Sequence, residues 1–153
     1  SSIAHAENKV VYLDLDYILS NSIIGKNLFL KLKKEEDIKF KEFESKEINL
    51  KDEENKILAS KNIISQDQMN LNIKEFRKKL ELYKKYKSDE LEILKKKRNS
   101  EVISLIKQIN PVIEKYMSDN SISIIIDKKN IFIADKNYDI TDNLIELINK
   151  NIK

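Results

Sequence analysis

From Met69 to Tyr116 the chain reads MNLNIKEFRKKLELYKKYKSDELEILKKKRNSEVISLIKQINPVIEKY, and this stretch decides the fold. Met69, Ile73, Phe76, Leu80, Tyr83, Lys87, Leu91, Leu94, Arg98, Val102, Leu105, Ile109, Val112 and Tyr116 follow one another at spacings of three or four. Such spacing draws one seam along one long helix. The steps Lys87 to Leu91 and Arg98 to Val102 add extra fours, stutters that locally unwind a left-handed supercoil. Both begin at a basic residue, where the seam is weakest. Pro111 lies inside this helix and is expected to kink or tighten it about one turn upstream, because its ring clashes with an earlier carbonyl.

Working toward the N-terminus, Ser60 to Gln68 loosens the pattern and is the expected reversal. Lys26 to Ala59 holds no Gly or Pro. Here Phe43, Leu50, Ile57 and Ile64 recur every seven residues, while the companion positions are Phe40, Glu47, Glu54 and Lys61. Charges at Glu47, Glu54 and Lys61, and the interruptions of the returning seam at Lys87 and Arg98, predict that packing between the two helices is loosest there and toward the tip. Gly25, the only glycine, marks a junction. Before it, Val10 to Leu15 is β-prone and Asp16 to Ser22 is helical in pattern, with Ile18 and Leu19 apolar.

Toward the C-terminus the period changes to two after Asp119-Asn120-Ser121. Ile122, Ile124 and Ile126 would share one face, and Asp127-Lys128-Lys129-Asn130 would lead as a hairpin turn into a strand at Ile131-Phe132-Ile133-Ala134. A loop from Asp135 to Asp139 precedes a last helix. Thr141 suits its N-cap, Asp142 its first turn, and Ile140 can staple onto Ile145. Leu144, Ile145, Leu147, Ile148 and Ile152 supply its apolar face.

The predicted fold class is α+β, mostly α. Residues 1–24 with 119–153 form a small β-rich body with a C-terminal helix, and residues 25–118 form an inserted antiparallel helical hairpin with its tip near 60–68. Arms of ~35–50 residues would reach ~50–70 Å. A body of about 60 residues has a marginal core, and open strand edges pair with something. Association between copies is therefore expected, although the copy number does not follow.

Composition narrows the function. Of 153 residues 36% are charged, Gly and Pro occur once each, and the net charge is +3. So few chain breakers suit a few long helices rather than many short elements. There is no cysteine, which excludes disulfides, thiolate metal sites and Cys nucleophiles. No apolar run approaches the ~18 residues of a membrane span. Ala4-His5-Ala6, followed by Glu7-Asn8-Lys9, has the small-x-small form of a signal-peptidase site and reads as the last stub of a signal peptide. The competing reading is a disordered tail. His5, the only histidine, sits there without companions, the carboxylates lack an apolar pocket, and a single glycine makes no phosphate loop. No catalytic residue, metal site or cofactor is expected, so an enzyme is not.

The ends of the chain carry a family likeness. Leu13-Asp14-Leu15-Asp16-Tyr17-Ile18-Leu19-Ser20-Asn21-Ser22-Ile23-Ile24-Gly25-Lys26 resembles the opening of Skp/OmpH-type chaperones, a strand ending in aspartate, a short helix ending in Leu and Ser, then Gly-Lys. Asp127, Asn130 and Phe132-Ile133-Ala134-Asp135 resemble the family's second hairpin. Asp139-Ile140-Thr141-Asp142 resembles its C-terminal signature, and Asn110-Pro111 falls where many members carry a proline in the returning helix. The resemblance implies a periplasmic homotrimer whose helical tentacles enclose unfolded outer-membrane β-barrel proteins, without ATP and with no specific nucleic acid. It also implies a body and trimer interface, for which Val11, Leu13, Ile122, Ile124, Ile126 and Phe132 are the candidates. A strongly basic cavity, as in better-known members, is not matched evenly. Ile63 to Met117 has 13 Lys/Arg against 8 Asp/Glu, and Lys26 to Asn62 has 10 against 9.

Two basic clusters, Lys84-Lys85-Lys87 and Lys95-Lys96-Lys97-Arg98, are the candidate sites for acidic client segments, anionic lipid phosphate or lipopolysaccharide. The alternative is a solvated helix face. Phe29, Phe40, Phe43, Phe76, Tyr83 and Tyr86 read mostly as seam, whereas Leu71, Leu82 and Ile93 lie off it and are expected to be exposed. Dispersed apolar contacts suit a binder of many sequences. The rival reading from another class is a structural or scaffolding trimeric coiled coil without client binding, and a further rival is a basic protein associated with nucleic acid.

Overall fold

A computed structural model describes residues 7–153. Ala4-His5-Ala6 lies outside the described residues. The elements run β1 (Lys9–Leu13), α1 (Leu15–Asn21), α2 (Ile23–Ala59), α3 (Gln66–Asp119), β2 (Ile122–Asp127) and α4 (Thr141–Asn151), with single 3-10 turns at Lys128–Asn130 and Lys136–Tyr138. The molecule is mostly helical with one small sheet, the predicted class.

Local chemistry sets the joints. Asp14 caps α1 by accepting from the Tyr17 N–H at 3.0 Å. Ser22 ends α1 and starts α2. Its own N–H bonds to the Ile18 carbonyl, and its buried hydroxyl accepts from the Gly25 N–H at 3.2 Å. The Asn149 side chain, from α4, accepts from the Ile23 N–H at 2.8 Å. Two of the N–H groups that every helix start leaves unpaired are thereby satisfied in α2. α3 continues through Pro111.

Contacts divide the chain into two units, residues up to Lys31 with Ser100–Lys153, and Leu32–Asn99. In the first, β1 and β2 pair in parallel, and Val11, Leu13, Ile18, Leu19, Leu105, Ile109, Ile122, Ile140, Leu144 and Ile148 form the core. In the second, α2 and α3 are joined by a turn at residues 60–65 and run antiparallel, with Leu32, Phe43 and Met69 buried between them.

Three expectations are corrected. The strand alternation of Ile122, Ile124 and Ile126 fails, because the ladder is irregular between Lys9 and Val10. Such a slip reverses the face downstream, so Ile122 and Ile125 face the core while Ile124 is half exposed. The second hairpin does not form. After β2, Asp127 accepts from the Lys129 N–H at 3.3 Å and the chain makes a 3-10 turn. A tight hairpin turn needs φ > 0, and among the described residues Ser121 alone has it. Among the described residues Ile131 to Ala134 therefore pairs with no strand, and Phe132 and Ile133 stand 103% and 84% exposed. Finally, the N-cap of α4 is Ile140, which makes no side-chain cap. Thr141 is the first helical residue. Its hydroxyl donates to Asp139 Oδ1 at 2.5 Å and accepts from the Asp14 N–H at 2.9 Å, tying the end of β1 to the start of α4.

Candidate functional site

Ion pairs join the two helices of the hairpin unit across and beside its seam. Lys87 meets Glu47 at 2.7 Å, Lys97 meets Glu35 at 2.6 Å, Lys79 meets Glu53 at 2.8 Å and Lys39 meets Glu90 at 2.9 Å. Glu47 and Lys87, read from the sequence as places of loose packing, meet each other as a part-exposed pair. The opposite signs sit at one level because the turn at residues 60–65 sets the register.

Aromatic groups concentrate at that level. Phe43 is 2% exposed, Tyr86 meets it edge-on with ring centroids 6.3 Å apart, and Phe40 lies at 6.2 Å. The Tyr83 hydroxyl donates to the Phe43 carbonyl at 3.3 Å, and that of Tyr86 donates to Glu42. The Lys87 ammonium sits 5.5 Å from the Phe43 ring centre, and Lys46 sits 5.1 Å from that of Tyr86. Partial burial, and then the Glu47 charge, push the Tyr83 phenol up to about 12. The Tyr86 hydrogen bond and then Lys39 hold the Glu42 carboxyl below its ordinary value, and Lys87 does the same for Glu47. Bonds to Glu90 and Glu42 raise Lys39.

The candidate basic residues fare unequally. Lys85 pairs with Asp89 at 2.8 Å, Lys96 with Glu92 at 3.9 Å, and Lys87 and Lys97 with the other helix as above. Arg98 is engaged as well. Lys84 lines a groove of about 390 Å³ floored by Leu50, Phe76, Leu80 and Tyr83. Lys95 lines another, of about 220 Å³, with Leu32, Phe40, Leu91 and Leu94. Leu71, Leu82 and Ile93 are all exposed, at 49%, 60% and 56%. Their eleven-residue spacing, three helical turns, puts them on one stripe of α3. That spacing was readable, yet as isolated positions they suggested only scatter.

In the other unit, the side chains of Val11, Leu13 and Ile122, candidates for the body and trimer interface, fill this chain's own core. Ile124 and Phe132 are exposed and Ile126 is half-buried. Ile126 lines an apolar groove of about 390 Å³ with Val10, Tyr12, Ile131, Ala134 and Tyr138. Among the described residues no strand pairs with the outer edge of β2, and no group of three or more His, Cys, Asp or Glu could hold a metal ion. No helix among them is long and apolar enough to cross a membrane. His5 lies outside the described residues.

A family model described as outer membrane protein (OmpH-like) matches residues 9–148. No curated protein matches the chain. Among solved structures, one described as an OmpH-like outer membrane chaperone from Caulobacter crescentus CB15 superposes with a TM-score of 0.84. It is 18% identical and the match covers 100% of this chain and 90% of that one. At that identity the likeness speaks for the fold.

Proposed function

The chain belongs to the OmpH-like outer membrane protein family, and from that premise we propose that it is an ATP-independent periplasmic holding chaperone for unfolded outer-membrane β-barrel proteins. It acts as a homotrimer. Residues 1–24 with 119–153 associate, the hairpin of residues 25–118 supplies the tentacles, and the client lies in the cavity between them. The observation that carries this reading is the exposed stripe of Leu71, Leu82 and Ile93, together with exposed Ile38, Ile48 and Leu58, spaced along a charged hairpin. Each contact is weak and unselective, and many together hold a chain that any one would release.

Association through the sheet region is supported by the open edge of β2 and by exposed Ile124 and Phe132. Of the basic clusters, Lys84 and Lys95 are the better recruiters of acidic segments or lipid phosphate, since Lys85, Lys87, Lys96 and Lys97 already face carboxylates. The test is light scattering after a urea-denatured outer-membrane barrel protein is diluted into buffer. The chaperone suppresses aggregation without nucleotide at near-stoichiometric amounts. A scaffold leaves the aggregation rate unchanged.

A further inference from the structure

Within Leu32–Asn99 the fastening between the helices is uneven. Phe43 is the one buried apolar side chain between Leu32 and Met69, and the polar ties gather around it. Lys39 bridges Glu42 and Glu90 at 3.0 and 2.9 Å, and Tyr86 bonds the same Glu42. Tyr83 bonds the Phe43 carbonyl, and the Glu47–Lys87 pair places its ammonium beside the Phe43 ring. All of this spans about two turns of each helix, residues 39–47 of α2 and 83–90 of α3.

Toward the turn the picture changes. The ties there are Met69, buried by itself next to the turn, and the pair Lys79–Glu53, 60% and 40% exposed. An exposed pair contributes ~0–1 kcal/mol. From the clasp's own edge at Glu47, Tyr83 and Lys87 a groove runs on between Leu50, Phe76 and Leu80, where the seam is not filled. An unfilled seam forfeits dispersion contacts on both walls.

We infer that the groups around Phe43 form a clasp, which keeps the two helices closed at its own level while the stretch from Lys51 and Phe76 to the turn parts and recloses on its own. Parting there bares Leu50, Phe76 and Leu80, and the clasp stops the opening from running further along the hairpin. The hairpin thereby has a fixed fulcrum rather than a uniform stiffness. This stands apart from the chaperone proposal, because it concerns the hairpin whatever it carries.

Amide hydrogen exchange on the full chain, read by mass spectrometry, tests it. Peptides covering 39–47 and 83–90 should exchange about tenfold or more slower than those covering 50–59 and 66–80, with a step between them. Tyr86→Phe combined with Glu42→Gln keeps the shapes and removes the Tyr86–Glu42 bond and the charged Glu42–Lys39 pair. It should bring the clasp peptides up toward the outer rate and leave β1 and α4 unchanged. Lys79→Gln should leave the step in place. If the double variant loses helical content, Tyr86→Phe alone serves, with the step narrowed rather than erased. A smooth gradient from Leu32 to the turn in the wild type overturns the clasp, and so does an unaltered step in the Tyr86→Phe variants.

Discussion

A Cβ on Gly25 would stand 1.7 Å from the Leu19 carbonyl oxygen and 2.8 Å from the Ser22 hydroxyl. Neither can yield easily, since one is backbone and the other is fully buried and bonded to the Gly25 N–H. Gly25→Ala should therefore cost about 2–4 kcal/mol, read as a lower urea midpoint with an unchanged slope. The sequence marks Gly25 as a junction, because it is the only glycine. It does not reveal the close approach of α1 that makes glycine necessary, since that depends on where Ser22 turns the chain. The clasp carboxylates set a second residue-scale expectation. Glu42 and Glu47 titrate below their ordinary values, so what they contribute is present above the unfolded value of about 4.3 and lost as pH falls through the lowered one. Lys39 and Tyr83 are raised, so their contributions are present below about 10 and lost as pH rises further. Stability should be flat between about pH 5 and 9 and fall below about 4.5. Unfolding followed across pH should show a shallower acid loss in Glu42→Gln with Glu47→Gln, and an identical acid limb would count against the pairing.

The long helices are the most legible elements. Gln66–Asp119 follows a seam of three- and four-residue steps, and its buried positions Met69, Leu105 and Ile109 all belong to that seam. The pairing of charges across it was not legible, because it requires the register of α2 against α3. The turn at residues 60–65 fixes that register, and no local pattern states it. A charge swap tests the register. Lys87→Glu alone should destabilise the hairpin, and adding Glu47→Lys should restore a measurable part of it in a double-mutant cycle. Zero coupling would place the two residues at different levels. The short β elements were misjudged for a related reason. Ile131 to Ala134 has the composition of a strand, but composition does not name a partner, and none is offered among the described residues. The parallel pairing of β1 with β2 joins residues more than a hundred positions apart, and its irregularity moves Ile124 to the surface.

At the scale of the whole molecule, what the single chain leaves uncovered bears on the proposed association of copies. Phe132, Ile133, Ile124 and Tyr138 are 103%, 84%, 50% and 52% exposed in the unit that also carries the free edge of β2. Removing apolar surface from water contributes roughly 25 cal/mol per Å². Phe132→Ser with Ile133→Ser should therefore weaken self-association by about tenfold or more in sedimentation equilibrium while the helical content stays unchanged. Unaltered association would move the interface elsewhere. The central claim is that the assembled chain holds an unfolded barrel protein, and sedimentation velocity on a mixture of the two addresses it most directly. With the denatured barrel protein diluted into an excess of this protein and no nucleotide, the client should sediment with the chaperone as one soluble complex of three copies to one client. A client that pellets by itself, while the chaperone sediments at the rate it shows alone, would contradict it.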